Sequence, residues 1–226
     1  MQITDPTLLP SLITAFVGFI VASYLFSLWY GQSARMYTDL PLMFSLSILG
    51  TGVNMLIHAL PLILQMESTL TLFKVRSLAI GLSVIPMMGI LLHIWLPKFA
   101  KWHLRFLVAI VFYWALVASL GPNQTSIILL TVPVLLVFTL GLIVTFAITW
   151  KTGRLKEVRS DLLVASLLLA FSTQALKVPF LIWGLDAMTY LLNVAMMILI
   201  ALALVNPWYH RMESANEVTV QAVTYQ

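Results

Sequence analysis

The chain has 226 residues, 61% of them hydrophobic and only 9% charged, with a mean hydropathy of +1.01. That leaves too little polar surface to coat a water-soluble globule, so the composition marks an integral membrane protein lying in a lipid bilayer. The formal charge of +4 does not point to nucleic acid, because the cations gather at the ends of apolar runs, where they meet lipid head groups.

Seven apolar runs follow one another: Leu8 to Tyr30, Leu40 to Leu64, Leu70 to Leu96, Leu104 to Leu120, Ser126 to Trp150, Ser160 to Trp183, and Ala187 to Asn206. Each approaches the roughly 20 residues that a helix needs to cross a hydrocarbon layer about 30 Å thick. The expected fold is all-α, a polytopic bundle of seven transmembrane helices over residues 1–211, followed by a tail over residues 212–226. The first run follows Asp5 instead of a basic segment and is longer than a signal-peptide core, so it reads as a retained span. The breaks have turn chemistry: Gly31-Gln32-Ser33, Asp39 with Pro41, Gly121-Pro122-Asn123 and Gly184, with Pro97 and Pro207 where helices should stop. Short connections predict antiparallel neighbours.

Charge sorts the connections into two sets. One set holds Arg35, then Lys98, Lys101 and Arg105, then Lys151, Arg154, Lys156 and Arg159, and finally Arg211; the alternate set is nearly devoid of bases. The positive-inside rule then places the N-terminus outside and the C-terminus in the cytoplasm, with the plasma membrane as the expected location. Lys74, Arg76 and Lys177 remain near the outer side. Prolines at 86, 133 and 179 each remove a backbone donor within a run and predict kinks. Ala15, Gly18 and Ala22, and Gly50 with Asn54, permit close helix approach.

Lys177 is the residue that most demands a reason, because a cation in lipid costs roughly 2.5 kcal/mol or more. Counting ~1.5 Å per residue puts it about 10 Å below the outer end of the sixth helix. Asn193, His58 and Arg76 fall at a similar depth. Thr51, Asn54 and His58 follow i, i+3, i+7; Asp186, Thr189, Tyr190 and Asn193 follow i, i+3, i+4, i+7; Thr173 and Gln174 precede Lys177 by one turn. These stripes predict a pocket in the outer half, with Lys177 and Arg76 holding an anionic group, such as a carboxylate, phosphate or lipid head, and His58, Asn54, Gln174 and Asn193 around it. The competing expectation is a pair of ion pairs, Lys177 with Asp186 and Arg76 with Glu67, that tie helix ends without a ligand.

No metal-binding or catalytic motif stands out, so no cofactor, no metal site and no enzyme activity are expected. The absence of cysteine removes thiolate metal sites, iron–sulfur clusters and disulfides. Asn123-Gln124-Thr125 is a glycosylation triplet close to the membrane. Val218 to Tyr225 alternates β-branched residues like a strand. Ordered, residues 217–226 would add to the sheet edge of a protein partner at the cytoplasmic face.

Two seven-helix families fail on particular residues. Microbial rhodopsins carry a retinal lysine in their last helix, and Ala187 to Asn206 has none; sugar transporters of the SWEET type share the span number but lack a counterpart here to their Pro-Gln signature. Phe73-Lys74-Val75-Arg76 opening the third helix, Pro86 within it, Arg159 opening the sixth, the Gly184-Leu185-Asp186 turn and the closing Asn206-Pro207-Trp208 resemble the seven-helix sensor module found ahead of prokaryotic histidine kinase and diguanylate cyclase domains. The resemblance implies a receptor-like module, and without an output domain after Arg211 the signal would pass to a separate protein. The alternatives are an accessory subunit of a larger membrane complex and a small-solute transporter.

Overall fold

A computed structural model describes residues 6–32, 35–37, 39–67, 69–155 and 157–206, without the side chains of Lys177, Val178 and Leu181. Lys156, Arg211, the Pro207-Trp208 pair and the strand-like tail at 217–226 lie outside the described residues. The elements are α1 (Leu8–Tyr30), α2 (Leu40–Leu64), α3 (Leu70–Trp95), α4 (Ala100–Leu120), α5 (Gln124–Thr152), α6 (Ser160–Ala175), α7 (Lys177–Ile182) and α8 (Asp186–Val205), with a 3-10 turn over Pro97–Phe99. The chain is all-α among the described residues. Six helices among the described residues, with the 3-10 turn counted into α4, are long and apolar enough to cross a membrane.

The helix ends follow from local chemistry. Thr69 caps α3 by accepting from the amide of Leu72 at 3.3 Å, and Asn123 caps α5 by accepting from that of Ser126 at 2.8 Å. The asparagine of the glycosylation triplet thus has a structural task. Gly153 ends α5 with φ of 62°, a left-handed turn that glycine enters without a Cβ clash.

The sixth predicted span is two pieces. α6 has 16 residues and α7 has 6. Pro179 has no amide to give the carbonyl of Ala175, so the ladder breaks one residue later: Leu176 donates back to Ser172 at 2.8 Å, and Phe180 restarts the pattern on Leu176 at 2.9 Å. By contrast α3 and α5 continue through Pro86 and Pro133, and α2 continues through Pro61, close to its end.

In cross-section α1, α2, α3, α5, α6 and α8 pack in a closed ring in that order, and α4 lies outside it against α3 and α5. Small residues set the tight seams. A Cβ on Gly50 would sit 2.6 Å from Ser83 Oγ and 2.7 Å from its backbone nitrogen, so the α2–α3 crossing needs glycine; one on Gly18 would meet the Gly52 Cα at 3.2 Å. Hydroxyls and an indole also bridge seams: Ser45 Oγ donates to the Ala22 carbonyl at 2.8 Å, Trp95 Nε1 to Thr145 Oγ1 at 2.8 Å, and Thr149 Oγ1 to Ser160 Oγ at 3.2 Å. The core of the ring is aliphatic and aromatic, with Leu25, Phe44, Ile48, Phe146, Leu163 and Met197 fully buried. Trp114 anchors α4. It is 2% exposed, its Nε1 donates to the Ser77 carbonyl at 2.8 Å, and its indole occupies the space that the missing side chain of Gly81 leaves open.

Candidate functional site

Because consecutive helices alternate in direction, one end of the ring collects the α1–α2, α3–α4 and α5–α6 connections with the end of α8. The α5–α6 connection touches the end of α8. The amide of Arg159 donates to the Ala203 carbonyl at 3.0 Å, and Asn206 Nδ2 to the Glu157 carbonyl at 3.2 Å. A cavity of about 480 Å³ lies between Gln32, Asp39, Arg154, Glu157 and Leu204. This is the basic end. Arg35 stacks on the Tyr30 ring at 4.5 Å and Arg105 on Trp102 at 4.6 Å, while Arg159 binds Asp161 through two bonds of 2.9 and 2.5 Å. The hydrogen bonds that Arg159 donates to Asp161 hold its guanidinium pKa above the ordinary value. His93 and His103 meet here with ring centroids 6.3 Å apart, a pairing that residue spacing alone did not reveal, and His103 Nε2 is fixed on the Leu96 carbonyl at 2.8 Å. Among the described residues no group of three histidines or acids could hold a metal ion.

Toward the opposite end, inside the ring, lies a second cavity of about 260 Å³. Five helices line it. α2 contributes Ser47, Thr51 and Asn54, α3 Ser83, α5 Thr139, α6 Thr173 and Gln174, and α8 Thr189 and Asn193. Phe44, Ile48, Met87, Leu142, Leu167, Met196 and Ile200 line the part nearer the basic end. The wall is therefore graded along the bundle axis: the amides and most of the hydroxyls lie toward the end remote from the bases, beside Met55, Ile80, Leu135 and Phe138, and the rest is hydrocarbon apart from Ser47.

Of the residues expected at a site, Asn54, Gln174 and Asn193 line this cavity. Arg76 stands behind the wall and reaches it through Asn54, donating from Nε to Oδ1 at 3.3 Å. It does not pair with Glu67, since the one ion pair among the described residues is Arg159 with Asp161. His58 packs against Tyr190 of α8 with ring centroids 6.1 Å apart, and Tyr190 also accepts from Thr14 Oγ1 through its carbonyl at 3.4 Å, so this group ties α1, α2 and α8 together. The backbone of Lys177 opens α7, three residues beyond Gln174; its side chain, and the expected pairing with Asp186, lie outside the described set. Lys74, the other outer cation, donates to the Ser119 carbonyl of α4 at 2.7 Å.

Ser83 and Thr139 were not among the expected lining. Ser83 was legible as seven residues after Arg76 on the same helical face. Its hydroxyl lies 3.3 Å from Thr51 Oγ1 and closes the polar ring between α2 and α3. Thr139 returns its hydroxyl to the Leu135 carbonyl at 2.8 Å, a habit of threonines in any apolar helix. The polar end is not internally satisfied: Gln174 Oε1 is buried with no hydrogen-bond partner. A buried acceptor left in this state costs about 1–3 kcal/mol.

Comparison with known proteins finds no matching family model, no matching curated protein and no matching solved structure.

Proposed function

We propose that the chain is a non-enzymatic receptor-like membrane module of seven spans, with its N-terminus outside and its basic end in the cytoplasm, that binds a ligand in its outer half and passes the change to a separate protein. In this reading α6 and α7 together make the sixth crossing, interrupted at Leu176. The observation that carries the proposal is the convergence of three side-chain amides, Asn54, Gln174 and Asn193, at one end of an internal cavity, with an acceptor of Gln174 buried and unpartnered. Packing alone does not call for this. A seam between helices needs shape and small residues, whereas an unmatched amide is a cost that a ligand or ordered water removes.

Of the two ligand classes expected from the sequence, an anion or a lipid, the wall favours the lipid. The route to the cytoplasmic side is short in structural terms. α6 and α8 both run from the cavity to the basic end, where the amide of Arg159 holds the Ala203 carbonyl. The break at Leu176, two residues past Gln174, supplies a point at which ligand binding could change the packing of α7 on α8. A ligand moves such an equilibrium only as far as its affinities for the two packings differ.

A second reading, an accessory subunit of a larger membrane complex, draws on α4. Leu104 and Leu120 are 72% and 74% exposed, and Phe106, Val108, Phe112 and Leu116 are exposed with them, so α4 presents apolar surface to lipid or to another subunit. Gentle solubilisation separates the two. A lone protein whose thermal midpoint rises with added amphiphile supports the receptor; stoichiometric co-purifying subunits and no ligand response support the accessory role.

A further inference from the structure

We propose that the cavity takes an uncharged single-chain amphiphile whose head, a hydroxyl or an amide, both donates and accepts a hydrogen bond. The inference rests on the cavity being a ligand site, as argued above, and names the chemistry of its occupant.

The head end is read from two amides, of which Asn54 is oriented by its contact with Arg76. An arginine only donates, so the 3.3 Å bond from Arg76 Nε fixes the Asn54 amide with its oxygen toward Arg76 and leaves Nδ2 free to donate into the cavity. Gln174 presents the complementary atom, a buried Oε1 with no partner. A head lying between them needs an oxygen to accept from Asn54 and a hydrogen to give to Gln174. A hydroxyl has both, as does a primary or secondary amide. An ionised carboxylate has acceptors only, so with the Gln174 amide oriented as it stands it would set a negative oxygen against Oε1. Among the described residues no charged side chain lines the cavity, so the described wall would strip such an anion of water without a counterion in direct contact, which is the costliest way to bury a charge.

The remaining wall defines the rest of the molecule. Beyond the amides the lining turns to Phe44, Ile48, Leu142, Met196 and Ile200, which offer no hydrogen-bond partner and match an alkyl chain. The methionine adapts its shape to chains of different length.

The test uses the full chain in phosphatidylcholine nanodiscs and two photoreactive probes of equal chain length, each with a diazirine at the chain end, one a primary alcohol and the other the carboxylic acid. Labelled peptides are mapped by mass spectrometry, with the unmodified compounds as competitors. The alcohol is expected to label the wall around Leu142, Met196 and Ile200 at least tenfold more efficiently than the acid, and Gln174→Leu to lower that labelling about tenfold, as loss of one hydrogen bond of about 1.4 kcal/mol implies. The alcohol-to-acid ratio of the unaltered protein decides the matter even where the variant fails to assemble. If the acid labels the same wall as well as the alcohol does, and loses it in Arg76→Met or Lys177→Met, the head site is cationic: the uncharged amphiphile is then refuted while the ligand site stands. If both probes label only lipid-facing positions such as Leu129, the ligand site itself is refuted.

Discussion

Trp114→Ala tests how α4 is held. α4 has two buried residues, Trp114 and Ala118, and the indole is by far the larger of the two buried side chains. In a water-soluble core a Trp→Ala change costs about 3–5 kcal/mol. Roughly 1.5–3 kcal/mol of that is transfer from water, which does not apply when the unfolded helix stays in lipid. About 1.5–2 kcal/mol of lost packing remains. The hydrogen bond to the Ser77 carbonyl adds about 0.6 kcal/mol, the mean for polar contacts within a membrane. The expected total is therefore about 2–3 kcal/mol, with Trp114→Phe keeping most of the packing and losing less than about 1.5 kcal/mol. Reversible unfolding in mixed micelles, followed by circular dichroism, measures both. The control is Trp102→Ala, at a site 41% exposed, where a change within about 0.5 kcal/mol is expected. Equal effects at the two tryptophans would refute the claim that α4 is anchored through this indole.

Other expectations follow from single contacts. Gly50→Val drives a side chain into Ser83, whose backbone nitrogen cannot move without the helix; a loss of at least 1–3 kcal/mol is expected in the same unfolding assay. Asn54→Leu removes the acceptor of Arg76 and should cost about 1–3 kcal/mol, and a neutral result would mean that water replaces the amide. Gln174→Leu removes an unsatisfied acceptor, so the ligand-free protein should hold or gain stability, by up to about 1–3 kcal/mol, while its thermal response to an alcohol amphiphile disappears. A stability loss with the response intact would contradict the site. Asn123→Ala removes the cap of α5 and should cost about 1 kcal/mol, measured as a lowered thermal midpoint.

The helices were legible because a span is a long run of one property. Leu8 to Tyr30 and Leu40 to Leu64 match α1 and α2 end for end, since turn residues bound both. The start of α4 was less so: Pro97–Phe99 forms a 3-10 turn and the helix begins at Ala100, because Lys101 and Trp102 read as loop residues by polarity yet suit a helix end at a membrane interface. Pro179 was read as a kink and is a break, whereas α3 and α5 run on through Pro86 and Pro133. A proline sets the missing bond, but neighbours decide whether the helix continues. Of the polar stripes visible by their period on α2, α6 and α8, Thr51, Asn54, Thr173, Gln174, Thr189 and Asn193 line one cavity, whereas His58, Asp186 and Tyr190 do not. That Arg76 turns to Asn54 and not to Glu67 was not visible, because depth counted along a helix leaves the azimuth of a long side chain undefined. His93 and His103 meet for a related reason: the turn between α3 and α4 folds the second helix back, and ten residues of sequence become one ring contact.

The lack of cysteine makes the central claim directly testable by single cysteine substitution. Thr189→Cys places a thiol on the polar wall of the cavity, and Leu129→Cys places one on the outer face of α5, at a site 69% exposed among apolar neighbours. In intact membranes, a small maleimide applied from the N-terminal side should alkylate the Thr189→Cys variant and leave the Leu129→Cys variant nearly untouched, with added amphiphilic alcohol protecting the first. Equal inertness of the two thiols, or alkylation at Thr189→Cys that no amphiphile slows, would contradict a ligand cavity within the bundle.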